Sequence, residues 1–492
     1  MITADHVLAF DGASHVELRA GAVLVVDEVI EWVGSAAAAP VDGIDERIAL
    51  GEAVLLPGLI DLDALADVDH LILDAWGTPE HASRLQWSED YFDRRHHVFS
   101  AEERLDVREY ALVQLALHGI TSYMPIASEV HSAWAEDFDD LAAMAARSSE
   151  LGLRGFLGPS YRSGVNVVAA DGTRSVHFDE EEGRRGLAGA VRFLDHLAAL
   201  GDPLLTGVLL PCRIETLTEE ILVETARLSA ERDVLVRLHA LQGVFERDDI
   251  ERRFDRTPLE HLTASGLLTN RLIVPHGVLL DVNPRVHGED RGDLGLLAEA
   301  GVSLVHCPLT NARYGSNLET FSRYRDAGVR IALGSDSFPP DLIRGIDIGV
   351  QVAKVQYGDL SKGDIAGYLD AATLGGAAAL HRTDLGRIAV GAQADLAAFR
   401  LDDLRTGPLE DPLRTLVLGG SGREACLTMV AGRVVMRDGE LPGVDSETLR
   451  RQGQRLFERL RDAYPERDHR GGSVAELFPP VYPVVTDLTP YS

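Results

Sequence analysis

The sequence predicts an α/β fold: a (β/α)8 TIM-like barrel with a small composite β-sandwich domain built from both chain ends. Three observations carry this expectation. Apolar runs of four to six residues alternate with amphipathic helical stretches through the middle of the chain. These runs are continuously apolar, as strands of a parallel sheet covered on both faces must be. Both chain ends instead carry short strands punctuated by Asp-Gly and Ala-Gly turns.

Residues 1–57 are expected to form the N-terminal part of the sandwich, from the alternation in "HVLAFDGASHVELRAGAVLVVDEVIEWVG". Residues 58–384 hold eight strand-like runs: "GLIDLDA", "GITSYMPI", "LRGFLGPS", "LTGVLLPC", "VLVRLHA", "RLIVPHG", "VSLVHCP" and "VRIALGSDS". Eight is the number that closes a barrel, and helices such as Thr218–Glu231 and Asp293–Ala300 fall between runs. Residues 385–440 return to the texture of the N-terminus, and 441–492 read as a charged amphipathic helix followed by a Pro-rich tail. That helix is a candidate homodimer element.

The net charge of −31 excludes a polyanion as partner, because nucleic-acid binding rests on Lys and Arg neutralising phosphates. No apolar run reaches the ~20 residues of a membrane span, and the start shows no basic, then apolar, leader. Three scattered cysteines form neither a disulfide framework nor a Cys-x-x-Cys site. The expectation is a cytoplasmic protein acting on a small molecule, with no nucleic acid and no membrane as partner.

In such a barrel the chemistry gathers at the C-terminal ends of the strands. Asp63, Cys212-Arg213, His239, His276, His306 and Asp336 each close an apolar run. One histidine at a strand end is more often a satisfied structural residue. Several pointing into one mouth can share a metal ion.

The order "PGLID", "VRLHALQ", "IVPHGVLLD", "HCPLTNARYGSN", "ALGSDS" and "DLGRIAVGAQADL" resembles the amidohydrolase superfamily, in the branch of cytosine and guanine deaminases and triazine hydrolases. The likeness runs from about Leu24 to Gly439. It implies one divalent metal, Zn or Fe, and hydrolysis of a C–N or C–Cl bond of a small heterocycle. It further implies His239 as ligand, His276 as ligand or substrate polariser, and Asp336 as the group that orients the attacking water and takes its proton. His306, Asn311 and Gln242 are implied as substrate-pocket residues. A metal would lower the pKa of bound water from ~15.7 toward ~7.

This chain departs from the pattern in two places. The family's strand-one His-x-His falls on Asp63-Ala64-Leu65; Asp63 can still ligate a metal and Leu65 cannot. The His-x-x-Glu motif falls on His239 to Gln242, and an amide exchanges no proton near neutral pH. Glu246 lies one helical turn further on. The position of a carboxylated lysine in two-metal relatives holds none, since the first lysine is Lys354. The expected metal set is Asp63, His239, His276 and Asp336, around at most one ion.

Other residues have two readings each. Arg162 in "SYRSG" and Arg213 in "PCRIE" would clamp a carboxylate or phosphate, or pair with neighbouring acids. Asp67, Asp69 and His70 are expected in a solvated loop, with His70 a replacement ligand if the loop folds back. Trp76, Trp87, Tyr91 and Phe92 would either cover a flat ring or simply pack. The alternatives to a hydrolase are a metal-independent lyase, isomerase or decarboxylase on the same barrel, and a non-catalytic binding member.

Overall fold

The computed structural model describes residues 1–68, 84, 86–126, 131–316 and 321–485. Strands from the two chain ends share one eight-stranded sheet. Its order runs from Arg433–Arg437 through Ala425–Val430, Leu396–Arg400, Ala53–Pro57 and Ile2–Phe10 to His15–Val26 and Val29–Ser35. Ile48–Ala49 pairs with Ile2–Phe10 as well. Val7, Val23, Ile30, Leu55, Leu396 and Leu427 enclose a core of their own there. The antiparallel pairing of Ala53–Pro57 with Leu396–Arg400 sets the entry to the central domain beside its exit.

Eight further strands are labelled in chain order: β1 (Leu59–Leu65), β2 (Ile120–Ile126), β3 (Arg154–Leu157), β4 (Leu205–Gly207), β5 (Val236–Arg237), β6 (Leu272–Pro275), β7 (Ser303–His306) and β8 (Arg330–Leu333). They pair in parallel as two sheets, β1 to β4 and β5 to β8. A bridge between Leu209 and Val236 joins the sheets at one side. At the other side the Asp336 N–H donates to the Asp63 carbonyl at 2.9 Å.

Parallel strands need crossovers, and helices supply them: Ala101–Leu117, Phe138–Leu151, Glu180–Leu200, Glu219–Arg232, Val244–Phe254, Asp293–Ala300 and Phe321–Asp326 lie between successive strands. Local sequence starts several of them. The Ser100 hydroxyl accepts the Glu103 N–H while the Glu103 carboxylate accepts the Ser100 N–H. Ile60, Leu62, Met124, Phe156, Leu210, Ile273, Val305 and Ala332 fill one core among the strands. Each of these side chains larger than alanine contributes about 1.5–3 kcal/mol relative to exposure.

The amphipathic helix spans Ser446–Ala463. Its apolar face is used within the chain: Leu456 and Leu460 pack with Phe99 and Val107, and Tyr110 lies against Gly453. No helix among the described residues is long and apolar enough to cross a membrane.

Candidate active site

The site begins with an irregularity in β1. Its pairing register with β2 shifts between Asp61 and Ala64, and such breaks re-aim side chains at functional positions. Asp61 stabilises the break: its Oδ1 accepts the N–H groups of Asp63 at 3.2 Å and Ser335 at 2.9 Å. Burial, only partly offset by these bonds, pushes the Asp61 pKa up to about 6. Close approach of β8 is possible because residue 334 is glycine; a Cβ there would lie 2.5 Å from the Asp63 Cβ.

Asp63, fully buried, is the hub. Its Oδ1 accepts from Arg237 Nη1 at 3.1 Å. Its Oδ2 lies 3.6 Å from His239 Nε2 and 3.8 Å from His276 Nε2, and the Cys307 thiol donates to it at 3.6 Å. Burial would raise the Asp63 pKa, but His239 and the Arg237 guanidinium outweigh it and hold the carboxyl below its usual range. Arg237 and His239 come from one extended segment, two residues apart, so both side chains reach the same side.

His276 follows β6 directly, with φ +65°; Asp336 follows β8 with φ +38°, and Leu241 beyond β5 has φ +61°. Three non-glycine residues in the left-handed region, all at the ends of these runs, hold strain of about 1–3 kcal/mol each, of the kind found at functional sites. His276 Nδ1 donates to Asn311 Oδ1 at 3.0 Å, and its Nε2 lies 3.6 Å from Asp336 Oδ2. The Asn311 bond selects the tautomer that leaves the Nε2 lone pair free. Burial lowers the His276 pKa to about 4 and depresses that of His239, although Asp63 opposes both. Both imidazoles are therefore neutral at pH 7, the form that ligates a metal.

One ligand atom each from Asp63, His239 and His276 lie within 4.8 Å of one another. Tetrahedral zinc with bonds of about 2.0–2.2 Å sets its ligands about 3.4 Å apart. Two of the three edges, 3.6 and 3.8 Å from Asp63 Oδ2, lie near that spacing. The donor set thus fits a single divalent ion, and Asp336, outside the triad, lies beside it.

A cavity of about 610 Å³ opens in front of these groups. Among the residues singled out from sequence, His239, Gln242, His276, Asn311, Arg162, Arg213 and Asp336 line it. His306 is a correction. It is absent from the cavity wall and is buried with its ring 5.5 Å from Phe321 and 5.8 Å from Tyr368. Strand parity turns it outward, and burial lowers its pKa to about 3. Glu246 also lines the cavity; its carboxyl oxygens accept the backbone N–H groups of Leu241 at 2.6 Å and Gln242 at 3.0 Å, and burial, with the charge of Glu215, pushes its pKa up to about 8. Gln242 Oε1 accepts from Arg213 Nη1 at 2.6 Å.

Asp67 is also corrected. It is buried, not solvated, and its carboxylate accepts from His131 Nε2 at 2.5 Å with Arg108 Nη1 3.8 Å away. Asp69, His70 and Trp76 lie outside the described residues. Trp87, Tyr91, Phe92 and Trp134 form a buried aromatic cluster, and Trp87 reaches the cavity. Sequence reasoning missed Arg237, whose signal was its two-residue spacing from His239. It also missed Asp61, Cys307 and the cavity residues Tyr464 and Arg467 of the C-terminal segment.

Residues 54–435 match the model of the amidohydrolase family. A 5-methylthioadenosine/S-adenosylhomocysteine deaminase of Halobacterium salinarum is 29% identical over 419 residues, covering 83% of this chain and 87% of its own. An 8-oxoguanine deaminase of Pseudomonas aeruginosa is 26% identical over 450 residues, covering 90% and 95%. Among solved structures, a zinc-bound adenosine deaminase from Xanthomonas campestris superposes with a TM-score of 0.74 at 24% identity, covering 94% of this chain and 98% of its own. The zinc complex of atrazine chlorohydrolase TrzN from Arthrobacter aurescens does so with a TM-score of 0.74 at 20% identity, covering 93% and 100%. These likenesses establish a TIM-barrel-type α/β fold. With its match over residues 54–435, the chain belongs to the amidohydrolase family and is an amidohydrolase-like hydrolase.

Proposed function

We propose that this chain hydrolyses a C–N or C–Cl bond on an sp² ring carbon of a small heterocycle. One divalent ion, zinc or iron, would be held by Asp63, His239 and His276. The observation that carries the reading is the convergence of those three ligand atoms within 4.8 Å of one another, with Asp336 3.6 Å from His276. A bound ion would supply the acidity that makes water a nucleophile at neutral pH. The chain's own residues do the rest. Asp336 takes the first proton of the attacking water and relays it to the ring nitrogen beside the attacked carbon; as the tetrahedral carbon collapses to a ring carbonyl, the remaining hydroxyl proton passes through Asp336 to the leaving amino group, which departs as ammonia, or is released alongside chloride where the ring carries chlorine. Asn311 fixes the His276 ring; Arg237 keeps Asp63 ionised.

Gln242, Arg213, Arg162 and Asn311 are the substrate-contacting residues in this reading. Gln242 orients the ring through its amide and, having no group that titrates near neutral pH, cannot serve as general acid or base. The same reading takes β1 to β8 as a closed (β/α)8 barrel over 58–384, supported by the Leu209–Val236 bridge and the Asp336–Asp63 hydrogen bond. It takes 1–57 with 385–440 as the composite sandwich, supported by their common core.

The second reading is a metal-independent lyase, isomerase or decarboxylase. It draws on Arg237, whose fixed positive charge 3.1 Å from Asp63 stands where a cation would otherwise be needed. Release of ammonia or chloride from aminopurines, aminopyrimidines and chlorotriazines separates the two. Turnover that stops on chelation and returns with zinc or iron supports the hydrolytic reading; turnover indifferent to chelator moves the assignment to the second.

A further inference from the structure

Two neighbouring strand ends meet in one wall of the cavity, and the bonds between them decide which way an amide faces. Arg213 lies beyond β4 and His239 beyond β5, and a parallel bridge pairs the two residues. The Ile214 N–H donates to the His239 carbonyl at 3.0 Å, and the Thr216 N–H donates to the Arg213 carbonyl at 3.0 Å. Past His239 the chain turns at Leu241, φ +61°. Glu246, in the first turn of the helix Val244–Phe254, then accepts the Leu241 and Gln242 N–H groups. The backbones that carry Arg213 and Gln242 are therefore each fixed by bonds of their own.

The two side chains meet in front of these backbones. Arg213 Nη1 donates to Gln242 Oε1 at 2.6 Å. A guanidinium carries donors only, so the amide atom that faces it must be the oxygen. Gln242 is half-buried in the cavity wall, and among the described residues its Nε2 donates to no acceptor. Glu246, the nearest carboxyl in sequence, is turned to the backbone of Leu241 and Gln242. An amide free to rotate offers a ligand either a donor or an acceptor. This one, with its oxygen engaged by Arg213, offers N–H alone.

We propose that Arg213 makes Gln242 a dedicated hydrogen-bond donor, which selects heterocycles carrying a second in-plane lone pair besides the ring nitrogen that Asp336 protonates. That lone pair belongs to a further ring nitrogen or to a carbonyl oxygen. Gln242 is then the specificity-determining residue, and Arg213 is a positioning residue that acts through it. A ring presenting C–H or N–H at that edge displaces water from the amide and leaves its N–H unpaired. A site built to bond one group rejects the analogue that lacks it. The substrate class narrows to diazines, triazines and oxo-substituted rings, over rings with a single nitrogen.

The inference rests on the hydrolase reading for the place of the ring, and its test needs no turnover. The full chain is titrated with 2-methylpyrimidine and with 2-methylpyridine, followed by ligand NMR at a pH where both are neutral. The probes differ by one ring nitrogen, and neither carries a leaving group. The affinity ratio should favour 2-methylpyrimidine by about fivefold more in the wild type than in Gln242→Leu, the worth of one neutral hydrogen bond. Gln242→Glu keeps the shape and the bond to Arg213 but presents an acceptor, and should lose the preference as well. In Arg213→Met the amide is released and the preference should shrink; Arg213→Lys, which keeps a donor for Oε1, should restore part of it. An affinity ratio unchanged in Gln242→Leu and Gln242→Glu overturns the proposal, and one unchanged in Arg213→Met removes the positioning role. Should Gln242→Leu fail to fold, Gln242→Glu supplies the comparison. A preference found without hydrolysis of any heterocycle would remove the reaction and leave the donor; hydrolysis with no such preference would do the reverse.

Discussion

Asp63 lies in β1 and Asp67 two residues past its end, and each is buried against histidine from a distant part of the chain. Their surroundings differ. Asp67 meets His131 at 2.5 Å, Arg108 Nη1 lies 3.8 Å away, and Arg108 in turn binds Glu136 and the Ala66 carbonyl. None of these groups lines the cavity. Around Asp63 the imidazoles stand back at 3.6 and 3.8 Å, and both histidines and Asp336 face open space. Asp67 belongs to a closed ion-pair network, whereas Asp63 belongs to a set whose atoms are spaced for a third party. Residue type alone does not separate the two; spacing and access do.

The largest effect is expected from Asp336→Asn, which keeps shape and removes the proton acceptor. Turnover should fall by about 10²–10⁴-fold with the melting temperature nearly unchanged. An intact rate would remove Asp336 from the reaction. Asp67→Asn should do the opposite. Breaking a buried pair costs about 3–5 kcal/mol in the unfolding free energy, measured by urea titration, while metal content per folded chain stays constant.

Asp67 also sets a pH dependence. Burial would raise its pKa, but His131 and Arg108 outweigh this and hold the carboxyl below its usual range. The folded state then binds fewer protons than the unfolded one. The stabilisation is complete above the unfolded carboxylate pKa and is lost as pH falls through the lowered folded value. Unfolding titrations between about pH 5 and pH 2 should show this acid sensitivity in the wild type and less of it in Asp67→Asn. Equal slopes would mean that the pair contributes nothing.

Asn311→Ala tests the support of His276. Releasing the ring should weaken metal affinity by about 10–100-fold with little change in stability. His306→Gln is expected to have the smallest effect: kcat/KM within about twofold of wild type and a stability loss of about 1–2 kcal/mol. A large kinetic defect in that variant would return His306 to the substrate pocket.

The sequence made the strand-end residues legible because the βα alternation places each apolar run, and a polar residue closing a run falls at the mouth. His239, His276 and Asp336 were found in that way. His306 satisfied the same rule and still turned away, because a shift of one residue in a short strand reverses the face. Asp67 was misread as solvated because its partner His131 lies beyond the next strand, and no local pattern announces such a pairing. Arg467 was hidden more deeply. Only the path of the C-terminal segment brings it to the Trp87 ring, and that path is fixed by contacts with Ser88, Arg94 and Arg84.

The contrast between the two aspartates is tested most directly by metal content. Wild type, Asp63→Asn and Asp67→Asn would be purified without chelator, loaded with zinc, dialysed and analysed for metal per folded chain. About one ion is expected in wild type and in Asp67→Asn, and far less in Asp63→Asn. A wild-type protein that holds no ion, or an Asp63→Asn variant that holds as much as wild type, would contradict the assignment of Asp63 as the ligand that stands in for the family's missing histidines.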